Sequence, residues 1–326
     1  MISEETYQIH RIIIYCIVLF FEIFGLFGNL NLIVLTIRKK SLRTKYGYIL
    51  CTLATIHTLC LLYELVCMGF GVAATFYSYD IRRKTCFLAI FPYVFLNSMQ
   101  TGTIWVLALN LLITIIFPLK SRKFNVPIYF SFLFFLPVFY GSVTVIFGFI
   151  YLEDDAISMC NPPSSLNPIV KAKLFTILTV VFYTIACILI YYKAHRHSSD
   201  LRYIERKALK TLKLLILFVM FRFITITIAT TLMALGVDKK IIELVQNYNI
   251  IAGITTYSQN AYVCYFRSSE YRTLLSEQIS MIHPKLGAML PKLSAQSSVN
   301  GQQWIVSGVS IITTNPLKPQ KRAHLK

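Results

Sequence analysis

Seven long apolar runs, separated by short polar and basic stretches, organise this chain. They extend from about Ile12 to Ile37, Tyr46 to Ala74, Cys86 to Phe117, Val126 to Tyr151, Ile169 to Tyr192, Thr211 to Val237 and Ile241 to Phe266. Each reaches the roughly 20 residues that a helix needs to cross hydrocarbon. The runs are too long for barrel strands, and a helix pairs its backbone N–H and C=O groups within one segment. Pro137, inside the fourth run, predicts a kink rather than an end. The pattern predicts an all-α membrane protein. Residues 1–11 form an outer N-terminus and residues 12–267 a seven-transmembrane helix bundle.

After the seventh run, Ser268 is placed to cap a helix, Glu270 follows early, and apolar residues recur at helical spacing. This predicts a short amphipathic helix on the membrane surface over 268–282. Residues 283–326 are rich in Ser, Lys, Pro and Gln and read as a disordered cytosolic tail. The tail has no cysteine for a palmitoyl anchor.

The basic residues set the orientation. The first loop carries Arg38, Lys39, Lys40, Arg43 and Lys45, the third Lys120, Arg122 and Lys123, and the fifth Lys193, Arg196, Arg202, Arg206, Lys207 and Lys210. The alternate loops are poorer, with Arg82, Arg83 and Lys84, then Lys171 and Lys173, then Lys239 and Lys240. The odd loops are therefore expected in the cytosol and the N-terminus outside. No cleaved signal peptide is expected, so the first run would itself target the chain.

Composition supports lipid as the main solvent. Of 326 residues, 56% are hydrophobic and 14% charged, against about a quarter charged in soluble domains. Mean hydropathy is +0.62. The net charge of +18 does not predict nucleic-acid binding, because the basic residues lie in short clusters between apolar runs. Eight scattered cysteines without a C-x-x-C pair predict neither a zinc site nor a dense disulfide framework. His195 and His197 lack partners at metal spacing. No metal, cofactor or enzyme activity is expected, since H-E-x-x-H, G-x-S-x-G and P-loop patterns are missing. No internal repeat supports a transporter built from inverted halves.

Specific residues narrow the class. The first span ends with Gly28-Asn29, followed by Leu32-Ile33-Val34. The third opens with Cys86, and the second outer loop carries Cys160. Twenty-four residues after Cys86 begins Asn110-Leu111-Leu112-x-Thr114-Ile115-x-x-Pro118-Leu119. This resembles the D-R-Y-x-A-I-x-x-P-L pattern of rhodopsin-like receptors. Asn260-Ala261-Tyr262-Val263-Cys264 is similar to their N-P-x-x-Y region, and Tyr271-Arg272 to the start of their surface helix. A closer resemblance is to the nematode serpentine chemoreceptors of class SX. It is carried by Arg38-Lys39-Lys40-Ser41-Leu42-Arg43-Thr44-Lys45, Leu53-Ala54 with His57, Glu64, Thr85-Cys86-Phe87, Phe91-Pro92-Tyr93, Ser258-Gln259-Asn260 and Glu270-Tyr271-Arg272. It covers roughly residues 12 to 280.

The resemblance implies a rhodopsin-like G protein-coupled chemosensory receptor in the plasma membrane, with placement in sensory cilia. Its partners would be a small external ligand, a heterotrimeric G protein and membrane lipid, with no nucleic acid; oligomeric state stays open. It also implies a disulfide between Cys86 and Cys160, with two free thiols as the alternative. The chain departs from the pattern as well. Leu111 stands where the family has the arginine of D-R-Y, and Asn110 stands for its acidic neighbour. His57 replaces the acidic residue of the second span, and the sixth span reads Phe221-Arg222-Phe223 in place of C-W-x-P. A ligand-gated channel, a transporter or a diverged receptor that no longer couples therefore stays open.

Several polar residues lie within the spans. Glu22, His57, Glu64 and Arg222 are ionisable, and such groups usually face the bundle interior and pair. Asn29, His57 and Asn260 are expected to form a polar relay, or else only to fix packing. Arg222 would bind a carboxylate or an anionic ligand, or serve packing alone. Tyr93, Asn97 and Gln100 share one face of the third helix at three- and four-residue spacing. They and Arg222 are the candidate ligand contacts, with interhelical hydrogen bonding as the alternative. The third helix offers no aspartate there, which argues against a biogenic amine. Asn110, Leu111, Pro118, Lys207 and Lys210 are the candidate G protein-facing residues. The basic loops are equally what anionic lipid selects. Glu153, Asp154 and Asp155 are expected only to solvate the second outer loop.

Overall fold

Thirty-five residues, Glu4–Arg38, form the first helix (α1) of the computed structural model. The structure describes residues 4–77, 80–116, 125–157, 159–167, 231 and 239–282. α1 begins eight residues before the apolar run. The segment over 1–11, expected to precede the bundle, is thus mostly helix, because Tyr7 and Ile14 already bury apolar surface. A 3-10 turn, Lys40–Leu42, leads into α2 (Lys45–Phe76). The Thr44 side chain accepts the Gly47 N–H at 3.1 Å, satisfying one of the free donors that any helix start leaves. α3 spans Arg83–Ile116 and α4 Val126–Ile150. These bounds fall within a few residues of those expected, and Pro137 lies inside α4 without ending it. The fifth run and all of the sixth but Thr231 lie outside the described residues, as does the tail from 283.

The seventh run differs from a single continuous helix. It is divided at Gln259 into α5 (Lys239–Ser258) and α6 (Asn260–Arg267). Beside the break, Asn29 Nδ2 of α1 donates to the Tyr257 carbonyl at 2.9 Å, an acceptor that a regular helix would use four residues on. α7, Ser269–Ile282, starts where the amphipathic pattern placed it. Ser268 Oγ accepts the Tyr271 N–H at 3.4 Å. Arg272 returns to donate to the Tyr265 and Phe266 carbonyls at 3.0 and 2.9 Å, covering the end of α6.

α1 packs on α2, α5 and α6; α2 packs on α3, and α3 on α4. Among the described residues two apolar clusters result. One contains Ile14, Val18, Cys60, Leu61, Phe87, Ile90, Val94 and Tyr257 and lies toward the Cys86 end of α3. The other contains Leu32, Leu35, Leu50, Ala54, Ala261, Tyr271, Leu275 and Ile279, and so ties α7 to α1, α2 and α6. Gln278 Nε2 donates to Asn31 Oδ1 at 2.9 Å beside it. Outside these clusters the helices expose large apolar side chains. Phe20, Ile23, Phe24 and Phe27 follow one face of α1, and Phe132, Phe135 and Phe139 one face of α4. Phe132 is 80% exposed. In water such stripes would drive association; in lipid they are the solvated surface. Among the described residues, α1, α2 and α4 are long and apolar enough to cross a membrane.

The α3–α4 contact depends on small residues. A Cβ on Gly102 would lie 2.7 Å from Pro137 Cα, and one on Gly141 would lie 2.8 Å from Phe95 Cδ2. The first obstacle is backbone and cannot swing aside. Gly102→Leu is therefore expected to lower the melting temperature of the purified protein, through an overpacking cost of about 1–3 kcal/mol. Gly69→Leu, where a Cβ meets nothing within 4 Å, is the control and should melt near the parent. Equal losses in both would remove the packing explanation.

Candidate functional site

The end of the bundle where α3 begins is closed by the segment between α4 and residue 167. Cys86 and Cys160 are disulfide-bonded across a sequence separation of 74. One turn before Cys86, Arg83 braces the same segment. Its Nε and Nη2 donate to the two carboxylate oxygens of Asp155 at 2.5 and 2.7 Å. Its Nη1 donates to the Ser164 and Leu166 carbonyls at 2.9 and 2.7 Å. Backbone bonds from Arg83 N to Asp155 O and from Ile157 N to Ile81 O, both 2.9 Å, complete the seam. Two loop acids thus do more than solvate: Asp155 is a bidentate partner of Arg83, and Glu153 Oε1 accepts Asn167 Nδ2 at 2.8 Å.

The hydrogen bonds from Arg83 hold the Asp155 carboxyl below its ordinary value of 3.8. A carboxyl whose folded value is depressed adds stability above its unfolded value and loses it as the pH falls through the folded one. The brace is therefore expected to be intact at neutral pH and to release below about pH 4. Protection of the Ile157 amide, its exchange rate relative to the intrinsic rate at the same pH, should fall there, and Asp155→Asn should show the lower protection already at neutral pH. Protection that is flat with pH and equal in the two proteins would refute this.

Deeper in the bundle, polar side chains from α1, α2, α3, α5 and α6 meet. Tyr93 donates its hydroxyl to Glu64 Oε2 at 2.6 Å and lies 3.4 Å from the Tyr257 hydroxyl. Tyr257 donates to Asn97 Oδ1 at 2.9 Å. The backbone carbonyl of the same Tyr257 accepts Asn29 Nδ2. Asn29 Oδ1 accepts Asn260 Nδ2 at 3.4 Å, and Asn260 Nδ2 lies 2.6 Å from His57 Nδ1. The His57 and Tyr257 rings are 5.4 Å apart. A continuous set of bonds thus runs from Glu64 through Tyr93, Tyr257, Asn29 and Asn260 to His57. All these residues are buried. Burial without partners would cost each polar group a few kcal/mol, so the network is specific in a way that apolar packing is not.

The expected residues sort as follows. Asn29, His57 and Asn260 are brought together. Tyr93 and Asn97 meet each other through Tyr257. Gln100 is buried, and its Oε1 has no partner among the described residues. Asn110 accepts the Tyr129 hydroxyl of α4 at 2.9 Å, and Leu111 follows it in α3. Arg222, Pro118, Lys207 and Lys210 lie outside the described residues. Tyr257 is the residue that sequence reasoning missed. Its one signal is its position, three residues before Asn260, which a lone tyrosine in an apolar run does not announce.

Membrane-length helices, a disulfide-tied cap over one end, a buried polar chain and a surface helix at the other end are, among the described residues, the parts of a helical membrane receptor. Residues 22–279 match the family described as serpentine type 7TM GPCR chemoreceptor Srsx. The chain belongs to that family, which is one of membrane receptors rather than enzymes. No curated protein matches the chain.

Proposed function

We propose that this protein is a chemosensory receptor. It binds a small external molecule within the helix bundle and promotes nucleotide exchange on a heterotrimeric G protein. The observation that carries this reading is the membership of residues 22–279 in a chemoreceptor family. The buried chain from Glu64 to His57 supports it, because it joins side chains of five helices in the middle of the bundle, beside the candidate ligand contacts Tyr93 and Asn97. In this reading the capped end faces outward and the basic first loop faces the cytosol, as the Lys and Arg distribution requires. The plasma membrane is the site of action.

The ligand would contact Tyr93, Asn97, Gln100 and Arg222. It would act by binding one conformation more tightly than the other, which is all that a ligand can do. Asn260 and His57 would be the far end of that response. Asn110, Leu111, Pro118, Lys207 and Lys210 would face the G protein.

A second reading has its own observation. Leu111 stands where related receptors carry an arginine. A channel or transporter, or a receptor that no longer couples, would tolerate that change. The deciding experiment applies pooled volatile and water-soluble compounds to cells displaying the chain and records calcium, with and without a G protein-blocking nucleotide analogue inside. A response abolished by the analogue is expected. A response that persists would refute coupling for that stimulus and favour the channel. Leu111→Arg is expected to change the exchange rate less than about tenfold if the native residue already supports coupling. A silent parent that Leu111→Arg awakens would identify a diverged receptor.

A further inference from the structure

Glu22 is a buried carboxyl that the polar network does not use. It is 1% exposed on α1, and neither carboxyl oxygen has a partner among the described residues. The packing of α1 on α2 shows what it faces. A Cβ on Gly71 would lie 2.6 Å from the Tyr15 hydroxyl, and a Cβ on Gly25 would lie 2.8 Å from Leu61 Cδ1. The two helices are antiparallel, so these contacts bracket a third. About two turns inward from Tyr15 and Gly71, and one turn outward from Gly25 and Leu61, Glu22 is level with Glu64. Glu64 is itself buried and held by Tyr93.

Two buried carboxylates level with each other repel. A cation placed between them would let both remain charged. The aromatic rings near Glu64 favour an organic cation. The Tyr63 and Tyr93 rings stack at 6.2 Å, and Tyr257 meets Tyr93 edge-on at 6.4 Å. Ring faces attract an ammonium, whereas a bare metal ion seeks a full shell of oxygens.

We propose that Glu22 and Glu64 bind the ammonium group of a small organic amine, beside the Tyr93 and Tyr257 rings. The inference rests on the receptor reading and assigns the ligand a positive charge. The acidic partner that α3 lacks comes from α1 and α2 instead. The ammonium donates hydrogen bonds to Glu22 and to the second carboxyl, and its alkyl stem lies along the rings.

The test uses the full chain, purified into lipid nanodiscs, and thermal unfolding as the readout. The probes are propylammonium, butylammonium and phenethylammonium, with n-butanol and butyrate as neutral and anionic counterparts. At least one ammonium probe is expected to raise the melting temperature with concentration, and the counterparts are not. Glu22→Gln should weaken the response by roughly ten- to a hundredfold, the range for losing one hydrogen bond to a charged group. Glu22→Asp, which keeps the charge, should weaken it less and serves if the glutamine variant does not fold. No shift with any ammonium probe, an equal shift with butanol, or an undiminished shift in Glu22→Gln would overturn the proposal. Nucleotide exchange is measured separately. Amine binding without exchange would leave this inference standing and count against coupling. Exchange evoked only by neutral or anionic compounds would do the reverse.

Discussion

A Cys160→Ser protein is expected to lose about 2–4 kcal/mol of stability and most of its cell-surface display. The bond closes a loop with a sequence separation of 74, for which the chain-entropy picture gives about 4 kcal/mol. α3 and α4 lie within that loop and stay helical in lipid, so the opened segment gains less freedom than a random coil. The lower end of the range is therefore expected. Cys86→Ser should match it, and the double substitution should be no worse than either, since one bond is lost in each case. Melting of the purified protein and surface labelling of cells check this. Cys16→Ser is the comparison, because Cys16 is an exposed free thiol on α1. An equal loss there would mean that thiol replacement in general, not this bond, is responsible.

The second large effect is expected at Asn260. Asn260→Ala takes a partner from both Asn29 and His57, and each buried polar group left short costs about 1–3 kcal/mol. Asn260→Asp is a sharper probe, because it keeps the size of the side chain. It removes the amide donor that serves both neighbours and introduces a charge into a buried site. Both variants should melt lower than the parent. Asn29→Ala combined with Asn260→Ala should cost less than the sum of the single changes, as expected for residues in one network. Strict additivity would show that the two act independently and would sink the relay as an energetic unit. In the receptor reading, ligand responses should fall further than the melting temperature alone predicts.

The helices were legible in the sequence because lipid imposes a simple requirement. Each span must be long, apolar and internally hydrogen-bonded, and those demands are written directly into runs such as 46–74 and 126–151. The pairing of Cys86 with Cys160 was legible only through family resemblance. The grouping of Asn29, His57 and Asn260 was reachable because polar residues in lipid seek one another.

Other features could not be read this way. Nothing in the run from 241 to 266 announces a division at Gln259, nor the Asn29 amide that arrives there from a different helix. Arg83 and Asp155 both read as ordinary loop charges. Their pairing depends on how the cap folds back over α3. Glu22 and Glu64, 42 positions apart, are level only because of the register between α1 and α2.

By itself, then, the sequence determined the all-α membrane class, the bounds of the first four helices to within a few residues apart from the early start of α1, and several of the buried polar residues, Asn29, His57, Asn260, Tyr93 and Asn97 among them. The tertiary structure decided which partner each polar group takes and that Tyr257 is the joint between the ligand candidates and the relay. The physical reason is a difference in range. Hydropathy and helix formation act along the chain and leave a local record. Hydrogen bonds between helices are fixed by rotation and register, which the sequence encodes only through the packing of all the helices together.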